Sequence, residues 1–144
     1  MNIDELTQQV CDHLAGKEIK IVWRNPPSSS AAGQTTKSQS GQLTIYVGNL
    51  TDADSRYRTL IHECAHARLD EDFIPVTGDR ASGSVWSSPE DRKVWRAHPR
   101  EERAKKQAQA WMDYAELYAY KYWQVGRSAM HCKLLSLMEW KESK

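Results

Sequence analysis

The sequence predicts a small α+β domain, mainly helical, with a short antiparallel sheet beside its second helix. Three observations carry that reading. Apolar residues recur at helical spacing in residues 3–14 and again beyond Pro99, and two short β-branched stretches lie between them. A run from Arg56 to Leu69 has no Pro or Gly and carries its own apolar stripe. At 144 residues the chain suits one domain spanning 1–144.

Composition narrows the classes. Hydrophobic residues make up 40%, enough for a core, and a mean hydropathy of -0.74 leaves a polar surface. A net charge of +1 gives no global attraction to nucleic acid or an anionic membrane, so neither is expected as a direct partner. No apolar run approaches the roughly 20 residues that span a bilayer. Met1-Asn2-Ile3-Asp4-Glu5 lacks the basic region and apolar core of a signal peptide. Cys11, Cys64 and Cys132 are odd in number and form no CxxC pair, which points to buried thiols, a reducing compartment and hence the cytoplasm. Six Trp and six Tyr against one Phe predict aromatics at core edges and cleft walls.

Taken in order, Ile3, Leu6, Val10, Cys11 and Leu14 form a helical stripe that Gly16 is placed to end. Ile19 to Trp23 reads as a strand stopped at Asn25-Pro26-Pro27. Residues 25–42 are rich in Ser, Gly, Gln and Thr without period and predict a flexible loop. Leu43 to Val47 alternates and reads as a second strand, antiparallel to the first, whose edge could take an extended peptide. Thr51, Asp52 and Asp54 are N-cap candidates for the helix that follows.

Residues 70–98 hold Pro75, Gly78, Gly83 and Pro89 and predict a long loop over a cleft, anchored by Val85-Trp86 and Val94-Trp95. Pro99 opens a long helix to about Gln124. Its inward stripe is Ala104, Ala108, Trp111, Ala115, Tyr118 and Tyr122. Gly126 breaks it, and Ser128 to about Glu139 forms a last helix with Met130, Leu134, Leu135, Leu137 and Met138 inward.

The chemistry centres on His62-Glu63-Cys64-Ala65-His66. Histidines four apart leave one helix face a turn apart, so two neutral imidazoles can take two corners of a tetrahedral zinc site. Glu63 lies beside the metal without ligating it and is placed to act as general base on a bound water. Leu60, Ile61, Cys64, Ala65 and Leu69 supply the buried side, with Cys64 read as core. Thr59, His62, His66 and Asp70 face a cleft.

A third ligand is needed. Extending the inward stripe of the long helix back by three lands on Glu101, and Ala104 and Ala108 allow a neighbouring helix close. Asp72 is the rival, six residues after His66, but Leu69 stands where that spacing needs Gly to turn the chain. His98 is a second rival. His98, Arg100 and Tyr114 are candidate transition-state or substrate contacts.

His62-Glu63-x-x-His66 followed by Glu101-x-x-Ala104-x-x-x-Ala108 resembles the gluzincin arrangement, and the size and element order resemble the ImmA/IrrE-type metallopeptidases. The resemblance covers residues 40–120. It implies a zincin-like fold, a Zn2+ held by His62, His66 and Glu101, Glu63 as general base, and a protein or peptide substrate. Arg103 and Gln107 depart from the family's usual Glu and aromatic, and no helix-turn-helix segment is evident.

Three functions follow as expectations. The first is a zinc-dependent peptidase. The second is a zincin-fold protein-binding module without peptidase activity, of phage or mobile-element type. The third, nucleic-acid association through Arg100, Arg103, Lys105 and Lys106, is diluted by Glu101 and Glu102.

Overall fold

The computed structural model describes residues 2–25, 32–48, 52–69 and 99–141, with the backbone alone for Arg100. Helix α1 (Ile3–Ala15) starts where the Asn2 side chain accepts the Glu5 N–H at 2.8 Å. It ends at Gly16, whose φ of 75° is the left-handed turn that lets its N–H reach the Asp12 carbonyl. Leu6, Val10, Cys11 and Leu14 are buried as their spacing predicts, while Ile3 in the first turn stays 41% exposed.

The sheet differs from the prediction. Strands β1 (Ile19–Val22) and β3 (Leu43–Val47) are parallel, with Ile19 beside Leu43 and Ile21 beside Ile45. A strand absent from the sequence reading, β2 (Gly33–Lys37), lies inside the stretch read as loop 25–42 and pairs antiparallel to β3. The order is β1-β3-β2, a mixed sheet. The reason is topological: β2 reverses the chain, so β3 runs back in the direction of β1. A five-residue connection, 38–42, joins β2 to β3, closed by the Gly41 N–H to the Ser38 carbonyl at 3.0 Å with Gly41 at φ 92°. Leu43, Ile45 and Val47 point into the core. Among the described residues β3 is the central strand and has no free edge; β1 and β2 are the edge strands.

Helix α2 (Ala53–Leu69) begins three residues before the predicted Arg56. Of the cap candidates, Asp52 takes the role, accepting the Ser55 N–H at 2.7 Å. Helix α3 (Pro99–Tyr118) lies along α2 and buries Ala104, Ala108, Trp111 and Ala115. It stops short of Gln124. The backbone tightens into a 3₁₀ turn at Ala119–Tyr122, a common way for a helix to end, and half-buried Tyr118 and Tyr122 continue the stripe across the change. Helix α4 (Ala129–Leu137) is capped by Ser128, whose side chain accepts the His131 N–H.

Trp111 is fully buried and meets Trp140 edge-on at 5.5 Å, a favourable aromatic geometry. Trp23, Tyr120 and Trp123 are instead 52%, 72% and 69% exposed, against the expectation of core-edge aromatics. The described residues are thus α+β, with four helices and three strands. None of the described helices is long and apolar enough to cross a membrane. The predicted loop 70–98 lies outside the described residues.

Candidate metal centre

His62 and His66 sit four residues apart on α2 and leave the same face, with ring centroids 4.9 Å apart and nearly perpendicular planes. Glu101 reaches them from the first turn of α3, where the helix dipole favours a carboxylate. Its Oε1 is 2.7 Å from His62 Nε2 and its Oε2 is 3.0 Å from His66 Nε2. The two helices run antiparallel, so the C-terminal half of α2 meets the start of α3. Ala104 permits that approach because it adds no bulk between them, and it is fully buried.

Glu63 stands on the other flank. His62, Glu63 and His66 each offer a ligand atom within 4.8 Å of one another, a group that could hold a metal ion. Glu63 is buried, and its Oε1 accepts a hydrogen bond from the Thr35 hydroxyl at 2.7 Å. The same hydroxyl lies 3.0 Å from the Glu63 carbonyl. Thr35 can do this because β2 packs tightly on α2. A Cβ on Gly33 would fall 2.5 Å from Thr59 Cγ2 and 3.3 Å from Glu63 Cγ, so only glycine fits there.

The electrostatics favour a charged carboxylate. Burial pushes the Glu101 carboxyl up, but hydrogen bonds from His62 and His66 and their charge outweigh it and hold it well below the usual range. On the opposite face, the Cys64 thiol is pushed up by its contact with Cys11 and by burial. It stays neutral and out of the site, as its apolar spacing predicts.

The donor set suits a metal. Glu101 Oε2 is buried and faces His66 Nε2 at 3.0 Å, so the carboxylate turns one oxygen to each imidazole. Ligands on a tetrahedral zinc at ~2.0–2.2 Å stand about 3.3 Å from one another. The observed 2.7 and 3.0 Å, one to each carboxylate oxygen, leave the side chains to part by roughly half an ångström to admit the ion. Comparison of the chain with protein families, curated proteins and solved structures finds no match. The site therefore rests on its own geometry.

Of the other predicted site residues, Tyr114 is not brought to the histidines. It lies thirteen positions past Glu101 on α3, about 20 Å along the axis, and packs on Tyr118 at 4.6 Å. Asp72 and His98 lie outside the described residues, as does the Arg100 side chain. Thr35 is the functional candidate that the sequence reading missed. The signal for it is the β-branched pair Thr35-Thr36 between Gly33 and the hairpin glycine Gly41.

Proposed function

We propose that this chain is a zinc-dependent metallopeptidase in which His62, His66 and Glu101 hold the metal and Glu63 is the general base. One observation carries the reading: two imidazoles from one helix and a carboxylate from another converge, with one carboxylate oxygen turned to each imidazole. The resemblance of His62-Glu63-x-x-His66 and Glu101 to the gluzincin and ImmA/IrrE arrangement supports it.

The metal would supply Lewis acidity and a water whose pKa falls to about 7. The remaining roles belong to the chain. Glu63 takes the water's proton and delivers it to the leaving amine. Thr35 holds the carboxylate in place through Oε1 and leaves the other oxygen for the proton. Among the described residues, the edge of β2 away from β3 presents backbone groups of Gly33, Thr35 and Lys37, because the neighbouring Ala32 and Ser38 pair toward β3. An extended peptide adding to that edge would bring its backbone past Glu63.

The test measures metal by elemental analysis and hydrolysis of an unfolded protein substrate. Wild type should hold one zinc, His62→Ala and Glu101→Ala none, and Glu63→Gln one zinc with hydrolysis reduced about 10²–10⁴-fold. Zinc retained in Glu101→Ala would remove Glu101 as a ligand. Wild-type hydrolysis by Glu63→Gln would overturn the mechanism.

A further inference from the structure

We propose that a second cavity, where α2, α3 and α4 meet, binds a carboxylate of the peptide substrate, with Tyr57 and Lys133 as its donors. The word substrate rests on the metallopeptidase reading; the cavity and its donors do not. About 180 Å³ in volume, it is lined by Asp54, Tyr57, Arg58, Met112, Glu116 and Lys133. That is below the ~300–1,000 Å³ typical of pockets for drug-sized ligands, and it suits one polar side chain or a chain end.

The deciding atom is Tyr57 Oη. Tyr57 is 8% exposed, and its hydroxyl is buried with no hydrogen-bond partner. An unpaired buried hydroxyl carries its full desolvation cost, which a ligand oxygen would relieve. Burial first, and then the charge of Glu116, push the phenol's ionisation well above its ordinary value, so it remains a donor. Lys133 Nζ lies 5.9 Å from the Tyr57 ring centroid and spends one of its three donors on Glu116 at 2.8 Å.

The cavity also has acids, and their placement decides the sign. The Lys133 side chain is 24% exposed, but that of Glu116 is 68% exposed and Asp54 is exposed at the rim. The protected groups are therefore donors, and the carboxylates stand in water that screens them. Exposed Arg58 adds a cation at the mouth. An entering carboxylate would displace Glu116 from Lys133 and accept from Tyr57. A larger cavity of about 240 Å³ beside Asp4, Trp23 and Arg56 has no such unpaired buried atom among the described residues.

Position links the cavity to the metal centre. Arg58 and His62 are four residues apart on α2, one turn or about 5–6 Å along the same face. Arg58 marks the near rim, whereas Met112 and Glu116 stand 11 and 15 positions past Glu101 on α3, about 16–22 Å along the axis. A peptide advancing roughly 3.3 Å per residue from the metal centre reaches the far wall about five to seven residues on.

Binding is measured by calorimetry on metal-free protein with two probe pairs. N-acetyl-glutamate methylamide against its glutamine counterpart tests a side-chain carboxylate. N-acetyl-alanyl-alanine against its amide tests a chain end. At least one acid should bind saturably, its neutral partner should not, and Tyr57→Phe should weaken binding about tenfold. Tyr57→Phe should also raise the melting temperature of the free protein, because it removes an unpaired hydroxyl; a merely structural Tyr57 would lower it. Which acid binds identifies the source of the carboxylate. Equal binding of acid and amide, wild-type affinity in Tyr57→Phe, or no saturable binding would each overturn the proposal. His62→Ala should bind the acid as wild type does, so loss of metal and loss of this site are read separately.

Discussion

Toward α1, the polar groups around α2 are joined to backbone atoms. Arg68 donates to the Leu14 carbonyl at 3.0 Å and stacks over Trp140 at 4.8 Å. Asp12 accepts the Ile19 N–H at 2.9 Å, while Gln8 bridges Asp12 and the Ile19 carbonyl. Toward α3, the same helix meets side chains instead: His62 and His66 face the Glu101 carboxylate, and the buried Tyr57 hydroxyl finds no hydrogen bond. Both sides bury polar atoms, and they use them differently. On the α1 side the bonds fasten α1 to β1 and to α2. On the α3 side the buried polar atoms meet only side chains or, at Tyr57, no hydrogen-bond partner, as expected where a ligand completes the bonding.

Three changes would break or sharpen that contrast. The largest effect is expected at the metal centre from Thr35→Val on β2, which keeps shape and removes the hydroxyl that holds Glu63. Hydrolysis should fall about ten- to a hundredfold with zinc content and melting temperature near wild type, since a charge-assisted hydrogen bond is worth ~1.5–3 kcal/mol. A matching loss of zinc would mean that Thr35 supports the fold of the site and not the base.

On the α1 side, Asp12→Ala leaves the N–H of buried Ile19 without its acceptor. A cost of about 1–2 kcal/mol in chemical unfolding is expected, with metal content unchanged. Lost zinc in that variant would show that the two sides are coupled.

The smallest effect concerns pH in the metal-free protein. The Glu101 carboxyl is held below its ordinary value of 4.5 in the folded state. Its contribution to stability is then fully present above pH 4.5 and is lost as the pH falls below that value. The gap in melting temperature between wild type and Glu101→Gln should therefore be widest near neutrality and close in acid. A gap that widens on acidification would reverse the sign assigned to Glu101.

The same contrast explains what was legible in the sequence. The spacing of Leu6, Val10 and Leu14 and the stop at Gly16 are local signals, and α1 follows them. His62 and His66 are fixed by helix geometry alone. Extending the stripe of Ala104, Ala108 and Trp111 reaches Glu101, and the structure brings it to both histidines. Strand β2 gave no such signal. Its residue opposite Ile45 is Thr35, which spends its inward position on a hydrogen bond to Glu63 and not on apolar burial. Without β2 the parallel pairing of β1 and β3 could not be seen, because direction depends on how many times the chain reverses. Tyr114 shows a different limit: helical periodicity places a residue on a face but not at a height, and Tyr114 stands about 20 Å along α3 from Glu101.

The clasp around Trp140 also sets the order in which the chain can be completed as it is made. His13 Nε2 meets the Trp140 carbonyl at 2.7 Å across a separation of 127 residues. At ribosomal rates of ~5–20 residues per second, Trp140 is added roughly 6–25 s after His13. Throughout that interval Leu6, Val10 and Leu14 lack part of their cover. A nascent chain halted before Trp140 should therefore be held by chaperones that grip exposed apolar helices, and released once that tryptophan emerges.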